Sequence, residues 1–216
     1  MRIKICGITT AADAQEAALL GADAIGLNFY KPSPRNIDLS SAALILKALP
    51  PFVEPVGLFV NEPLAEIERT LHSVGQIRTI QWYGDHHRAW STHPFQLIAA
   101  FSVRNARDLS AINPYLDSCR QIGHLPAAVL IDAHVEGQYG GTGRKAPWDL
   151  LADFHPEVPV ILAGGLTPEN VAEAVRIVRP YAVDVASGVE HSPGRKDAEK
   201  MRRFIDNARA ADARYN

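Results

Sequence analysis

Cysteine is almost absent: 216 residues contain two, Cys6 and Cys119. Two thiols are too few for a disulfide framework and show no paired metal spacing, which fits a reducing compartment, and the cytoplasm is the expected location. An excess of either charge is also lacking. The 22 basic and 24 acidic residues leave a formal charge of -2, so no basic field exists to draw in nucleic acid or an anionic membrane. No apolar run approaches the roughly 18 residues of a membrane span, and the N-terminus enters a strand-like run with no signal-peptide pattern. No Gly-x-Gly-x-x-Gly follows that first run, which argues against a dinucleotide fold. Eight histidines are present, yet none forms a His-x-His or His-x-x-x-His pair at a strand end. Adjacent His86 and His87 fit a solvated surface, so a metal-dependent hydrolase has no ligand set to build on.

What the chain does have is regular alternation of strand-like and helical patterns from start to finish. Strand-like runs cover 2–6, 24–29, 55–60, 77–82, 95–103, 127–132, 158–163 and 182–186. Helix starts are read at Thr10-x-x-Asp13, at Ser40, at Asn61 before Pro63, and at Thr167 before Pro168. The longest helix is expected from Asp197 through Ala211. The fourth unit is the weakest, with a poor helical signal over 86–93, and 113–123 reads as a helix interrupted at Pro114. Eight βα units with no linker between them predict one α/β domain over 1–216, a closed (β/α)8 TIM barrel.

In such a barrel, chemistry sits at the carboxyl ends of the strands. Cys6 ends the first strand and, by the period of two, shares an inward face with Lys4 while Ile3 and Ile5 face outward. A thiol there is either a packed hydrophobe or a reagent, and as a thiolate it needs a cation such as Lys4 nearby. Asp132 ends the sixth strand, where it is either a cap or a general acid kept protonated by desolvation. Gly164-Gly165 and Ser187-Gly188 follow the seventh and eighth strands, the place where this fold cradles phosphate. The loop 137–143 is glycine-rich and reads as a surface excursion or a lid. Arg35, stiffened by Pro32 and Pro34, is either a solvated charge or a carboxylate clamp. Cys119 reads as core packing.

These residues lie in KICGIT, GADAIGLNFYKPSPR, GLFVNE, IDAHVEGQYGGTGR with a following PWDLL, ILAGGLTPENV and DVASGVEHSPGRKD. In order and spacing the whole chain closely resembles the phosphoribosylanthranilate isomerase family of tryptophan biosynthesis. The resemblance implies an Amadori rearrangement without metal or organic cofactor, acting on a small phosphoribosyl substrate in a monomer or homodimer. It implies Asp132 as general acid, Cys6 as general base, Arg35 on the anthranilate carboxylate and Asp184 near the anthranilate amine. Gly164, Gly165, Ser187 and Gly188 then match the phosphate cradle, with Gly143 at the end of the sixth loop. One departure is Gln81-Trp82-Tyr83-Gly84-Asp85, where the family commonly reads Gln-Leu-His-Gly-Asp; its effect is expected at the periphery of the site. The related barrel isomerase of histidine biosynthesis has an aspartate where Cys6 stands, which discriminates against it. A noncatalytic phosphosugar-binding barrel predicts binding without turnover and full tolerance of Cys6→Ser.

Overall fold

The computed structural model describes residues 1–84, 94–133 and 148–212. Its strands are β1 (Arg2–Ile5), β2 (Ala24–Asn28), β3 (Glu54–Val60), β4 (Thr79–Tyr83), β5 (Gln96–Ser102), β6 (Ala128–Asp132), β7 (Val160–Ala163) and β8 (Ala182–Val185). They close into a parallel barrel in chain order, with β8 returning to β1. In that closing pair Lys4 stands opposite Asp184. The helices are α1 (Ala11–Leu19), α2 (Leu39–Ala48), α3 (Leu64–Val74), α4 (Ala106–Ser110), α5 (Ile112–Gln121), α6 (Trp148–Leu151), α7 (Val171–Val178) and α8 (Ala198–Asp212). Each strand lies within two residues of its expected bounds. The fourth helical segment, 86–93, and the glycine-rich loop 137–143 lie outside the described residues.

Local chemistry sets the helix ends. Thr10 Oγ1 accepts the Asp13 N–H at 3.1 Å, the expected cap of α1. Three other starts differ from expectation. Asp38, not Ser40, caps α2, because its carboxylate reaches the Ser41 N–H at 2.7 Å and also takes the Ser40 hydroxyl. Asn61 has a left-handed backbone, φ 52°, and turns the chain, leaving Pro63 at the cap position of α3 without a side-chain bond. At the third start, Thr167 Oγ1 accepts the Glu169 N–H within a turn, and regular helix begins only at Val171. Pro114 does not interrupt α5. It sits in the first turn, where its missing N–H has no intrahelical acceptor to lose. α8 follows Asp197, which accepts the Lys200 N–H at 3.0 Å. It buries Met201, Phe204, Ile205, Ala208 and Ala211, the spacing of one helical face.

The period of two divides each strand between two cores. Outward residues such as Ile3, Ile5, Ile25, Leu27, Val129, Ile131 and Val183 join the large cluster between strands and helices. Cys119, on α5, is buried in that cluster too. Inward residues form a smaller apolar plug of Val56, Ile98, Ala100, Ala128, Leu130, Ile161, Ala163 and Ala182. Toward the carboxyl ends the inner face turns polar, through Lys4, Asn28, Gln81 and Asp184, all buried. This polar layer is the floor of the candidate site. Among the described residues no helix is long and apolar enough to cross a membrane.

Candidate active site

Cys6 follows directly on β1, and its N–H is held by the Val185 carbonyl of β8 at 2.8 Å. Its side chain is buried beside Lys4 on the shared inward face. Gly26 of β2 makes the room for both: a methyl group built there would stand 2.6 Å from Cys6 Sγ and 3.1 Å from Lys4 Nζ. Sequence reasoning missed this glycine, since its only signal is a small residue facing inward beside the thiol. Lys4 Nζ donates to Asp184 Oδ1 at 2.9 Å and to Gln81 Oε1 at 2.8 Å, so the resting ammonium is engaged by a carboxylate. Burial pushes the Cys6 thiol above its ordinary value; Lys4 and Lys196 pull it down, Asp184 pushes it up, and the net shift is upward. The resting residue is therefore a thiol, not a preformed thiolate. Burial works against the Lys4 charge, yet Asp184 and Cys6 outweigh it and the ammonium is held firmly protonated.

Asp132 is the last residue of β6, facing the mouth. Tyr83, the last of β4, donates its phenol O–H to Asp132 Oδ2 at 3.5 Å. The departure from the family's histidine thus touches the expected acid itself, correcting the peripheral role expected of it. Burial first, then Asp132, Asp184 and Cys6, hold the Tyr83 phenol far above its ordinary value, so it remains a neutral donor. The Tyr83 phenol thus stands within electrostatic reach of the thiol and both carboxylates.

Arg35, in the loop after β2, is not a free solvated charge. Its Nε and Nη2 donate to Glu190 Oε1 and Oε2 at 2.7 and 2.6 Å, a bidentate clasp. Glu190 lies in β9 (Glu190–Ser192), which pairs antiparallel with β10 (Arg195–Lys196). Lys196 Nζ reaches Glu190 Oε1 at 3.0 Å and the Ala186 carbonyl at 3.0 Å. Burial opposes the Glu190 charge, but Arg35 and Lys196 overcome it and hold the carboxyl below the usual range. Burial lowers Lys196 despite Glu190. Glu190 and Lys196 were missed because each finds its partner through a hairpin that the strand-and-helix count does not contain.

Gly164 and Gly165 leave β7 with φ of 90° and 62°. Ser187 and Gly188 open a single 3-10 turn after β8. The two loops touch: a methyl group at position 188 would stand 1.9 Å from the Leu166 carbonyl oxygen. Asn170 braces the first loop, accepting the Thr167 N–H at 2.8 Å and donating to the Gly165 carbonyl at 2.9 Å. Gly164, Gly165, Ser187 and Gly188, expected as a cradle, thus share one edge of the mouth, while Gly143 lies outside the described residues. On the opposite side, across β2 to β5, a cavity of about 690 Å³ is lined by residues including Asn28, Leu58, Tyr83, Phe101 and Ser102. Its apolar wall also carries the polar groups of Asn28, Ser33, Asn61, Tyr83 and Ser102, and its size suits a small ligand. Among the described residues no group of three or more His, Cys, Asp or Glu side chains could hold a metal ion.

A glycine-lined edge, a thiol, a carboxyl group and an apolar cavity around one mouth can hold a phosphorylated substrate and move protons on it. Known proteins resemble the chain along its whole length. The family model described as N-(5'-phosphoribosyl)anthranilate (PRA) isomerase matches residues 3–207. An N-(5'-phosphoribosyl)anthranilate isomerase of Geobacter metallireducens is 45% identical over 211 residues, 97% of this chain and 100% of the relative. That of Acidithiobacillus ferrooxidans is 47% identical over 213 residues, 97% of this chain and 98% of its own. The crystal structure of phosphoribosyl anthranilate isomerase from Thermotoga maritima superposes with a TM-score of 0.84 at 37% identity, covering 97% of this chain and 99% of that one. A second, at 0.79 and 35% with the same coverage, is a phosphoribosyl anthranilate isomerase in complex with reduced 1-(o-carboxyphenylamino)-1-deoxyribulose 5-phosphate.

Proposed function

The chain belongs to the N-(5'-phosphoribosyl)anthranilate isomerase family, and from that membership we propose how its own residues divide the work of the reaction. The activity is the Amadori rearrangement of N-(5'-phosphoribosyl)anthranilate to 1-(2-carboxyphenylamino)-1-deoxyribulose 5-phosphate, a step of tryptophan biosynthesis. Asp132 is the general acid. It protonates the ribose ring oxygen as the bond from that oxygen to C1' breaks, and the nitrogen lone pair forms an iminium at C1'. Cys6, as thiolate, is the general base: it takes the proton from C2', giving an enolamine that tautomerises to the 2'-ketone. The iminium acidifies C2', so a base of moderate strength suffices. Arg35 binds the anthranilate carboxylate, Asp184 meets the amine, and Gly164, Gly165, Ser187, Gly188 and Gly143 cradle the phosphate. Oxidation at C2' and reduction at C1' balance within one molecule, so the scheme calls for no metal or organic cofactor.

One observation supports this division more than any other. The Tyr83 phenol hydrogen-bonds Asp132 and feels Cys6 and Asp184, as expected if acid, base and amine-binding group surround one substrate. Arg35 fits a carboxylate clamp because Glu190 fixes one edge of its guanidinium, leaving Nη1 for a second anion. We assign the span 1–216 to one catalytic unit, a cytoplasmic monomer or homodimer whose partner is the small phosphoribosyl substrate, with no nucleic acid and no membrane.

The test is the decay of phosphoribosylanthranilate fluorescence, corrected for spontaneous hydrolysis, with wild type, Cys6→Ser and Asp132→Asn side by side. Positioned acids and bases are each worth roughly 10²- to 10⁴-fold, and both variants are expected to lose turnover on that scale while still binding substrate. Near-normal turnover in either one overturns that residue's role.

A further inference from the structure

The buried ammonium of Lys4 has no part in the steps above. An apolar side chain would fill the same space inside the barrel without the cost of removing a charge from water. Its hydrogen bonds go to Asp184 Oδ1 at 2.9 Å and Gln81 Oε1 at 2.8 Å. The same point in space, a methyl group built on Gly26, lies 2.6 Å from Cys6 Sγ and 3.1 Å from Lys4 Nζ. Thiol and ammonium therefore stand no farther apart than those two distances laid end to end. At such range, in a site shielded from water, one unit charge acts strongly on another.

We propose that Lys4 is the counter-cation of the Cys6 thiolate, and that Asp184 sets how much of its charge the thiol receives. This rests on reading Cys6 as the base. Lys4 is a positioning residue, since it acts through the thiol and not on the substrate. Among the described residues the groups that face Cys6 include Lys4 from β1, Asp184 from β8, Lys196 from β10, Arg35 after β2 and Tyr83 from β4, with Asp132 of β6 held through Tyr83. Arg35 and Lys196 are both tied to Glu190, and Tyr83 is neutral. The pair of Lys4 and Asp184, bonded to each other beside the sulfur, is the charge that the test below adjusts. The directions agree: burial raises the thiol, Lys4 opposes it most strongly, and Asp184 works against Lys4.

The test titrates the ultraviolet band of the thiolate in three folded proteins: wild type, Asp184→Asn and the double variant Lys4→Gln/Asp184→Asn. The spectrum of the matching Cys6→Ser protein is subtracted from each, so that Cys119 and the tyrosines cancel. The double variant leaves neither buried charge unpaired, which a single Lys4 substitution would do. The Cys6 midpoint is expected to fall in Asp184→Asn by one pH unit or more, tenfold more thiolate at a given pH. It should rise again by more than it fell when Lys4→Gln is added. Coincident midpoints in the two variants overturn the proposal. If Asp184→Asn does not fold, the double variant is compared with wild type: a higher midpoint supports the proposal, and an unchanged or lower one overturns it. Normal turnover by Cys6→Ser would instead sink the reading of Cys6 as base and leave the titration standing, so the two failures are told apart.

Discussion

The thiol of Cys6 sits under opposing influences, and their balance has a kinetic consequence. Burial outweighs the two lysines and holds it protonated across neutral pH. In wild type the proposed acid must carry its proton while the proposed base has lost its own, so the pH profile reports on both groups. Asp132→Asn removes the acid. Its residual kcat/KM is expected to rise about tenfold per pH unit, without levelling off below the ordinary thiol value of about 8.5. A plateau near pH 7 would mean that Cys6 is already ionised at rest. At this scale the sequence was readable where a residue's place follows from its own position: Cys6 comes directly after β1, Asp132 ends β6, and the period of two put Lys4 inside. It was not readable where a role depends on a distant partner. Glu190 fixes Arg35 across 155 positions of chain, and Tyr83 meets Asp132 across 49.

Among the elements, the strands were legible because each carries its own alternation. Helix starts were less so, because more than one nearby polar group can cap: Asp38 caps α2 ahead of Ser40, taking the Ser41 N–H and the Ser40 hydroxyl. That the loops after β7 and β8 lie side by side was legible from the strand order, but the close approach of Gly188 to the Leu166 carbonyl was not. That approach carries an expectation of its own. Gly188→Ala drives a methyl group into the Leu166 carbonyl, and backbone cannot step aside as a flexible side chain can. Overpacking of this kind costs about 1–3 kcal/mol. If the strain falls on the phosphate edge, KM is expected to rise roughly 5- to 150-fold with kcat less affected. Steady-state kinetics decides it, and an unchanged KM would place the phosphate elsewhere.

For the molecule as a whole, stability and chemistry are carried by different layers. Phe204 of α8 is fully buried in the outer core, on the far side of the strand wall from the polar floor. Phe204→Ala is expected to cost about 3–5 kcal/mol, lowering the urea midpoint at constant slope while kcat/KM of the folded fraction is kept. A variant with normal stability and lost activity would refute that separation. The closing seam between β1 and β8 binds the layers together in another way. A slip of one residue there would turn Lys4 out among the helices and leave Asp184 buried alone. The two charges beside the Cys6 sulfur thus serve as a lock and key for ring closure, so a chain that joins its ends out of register is penalised by the groups of its own polar floor.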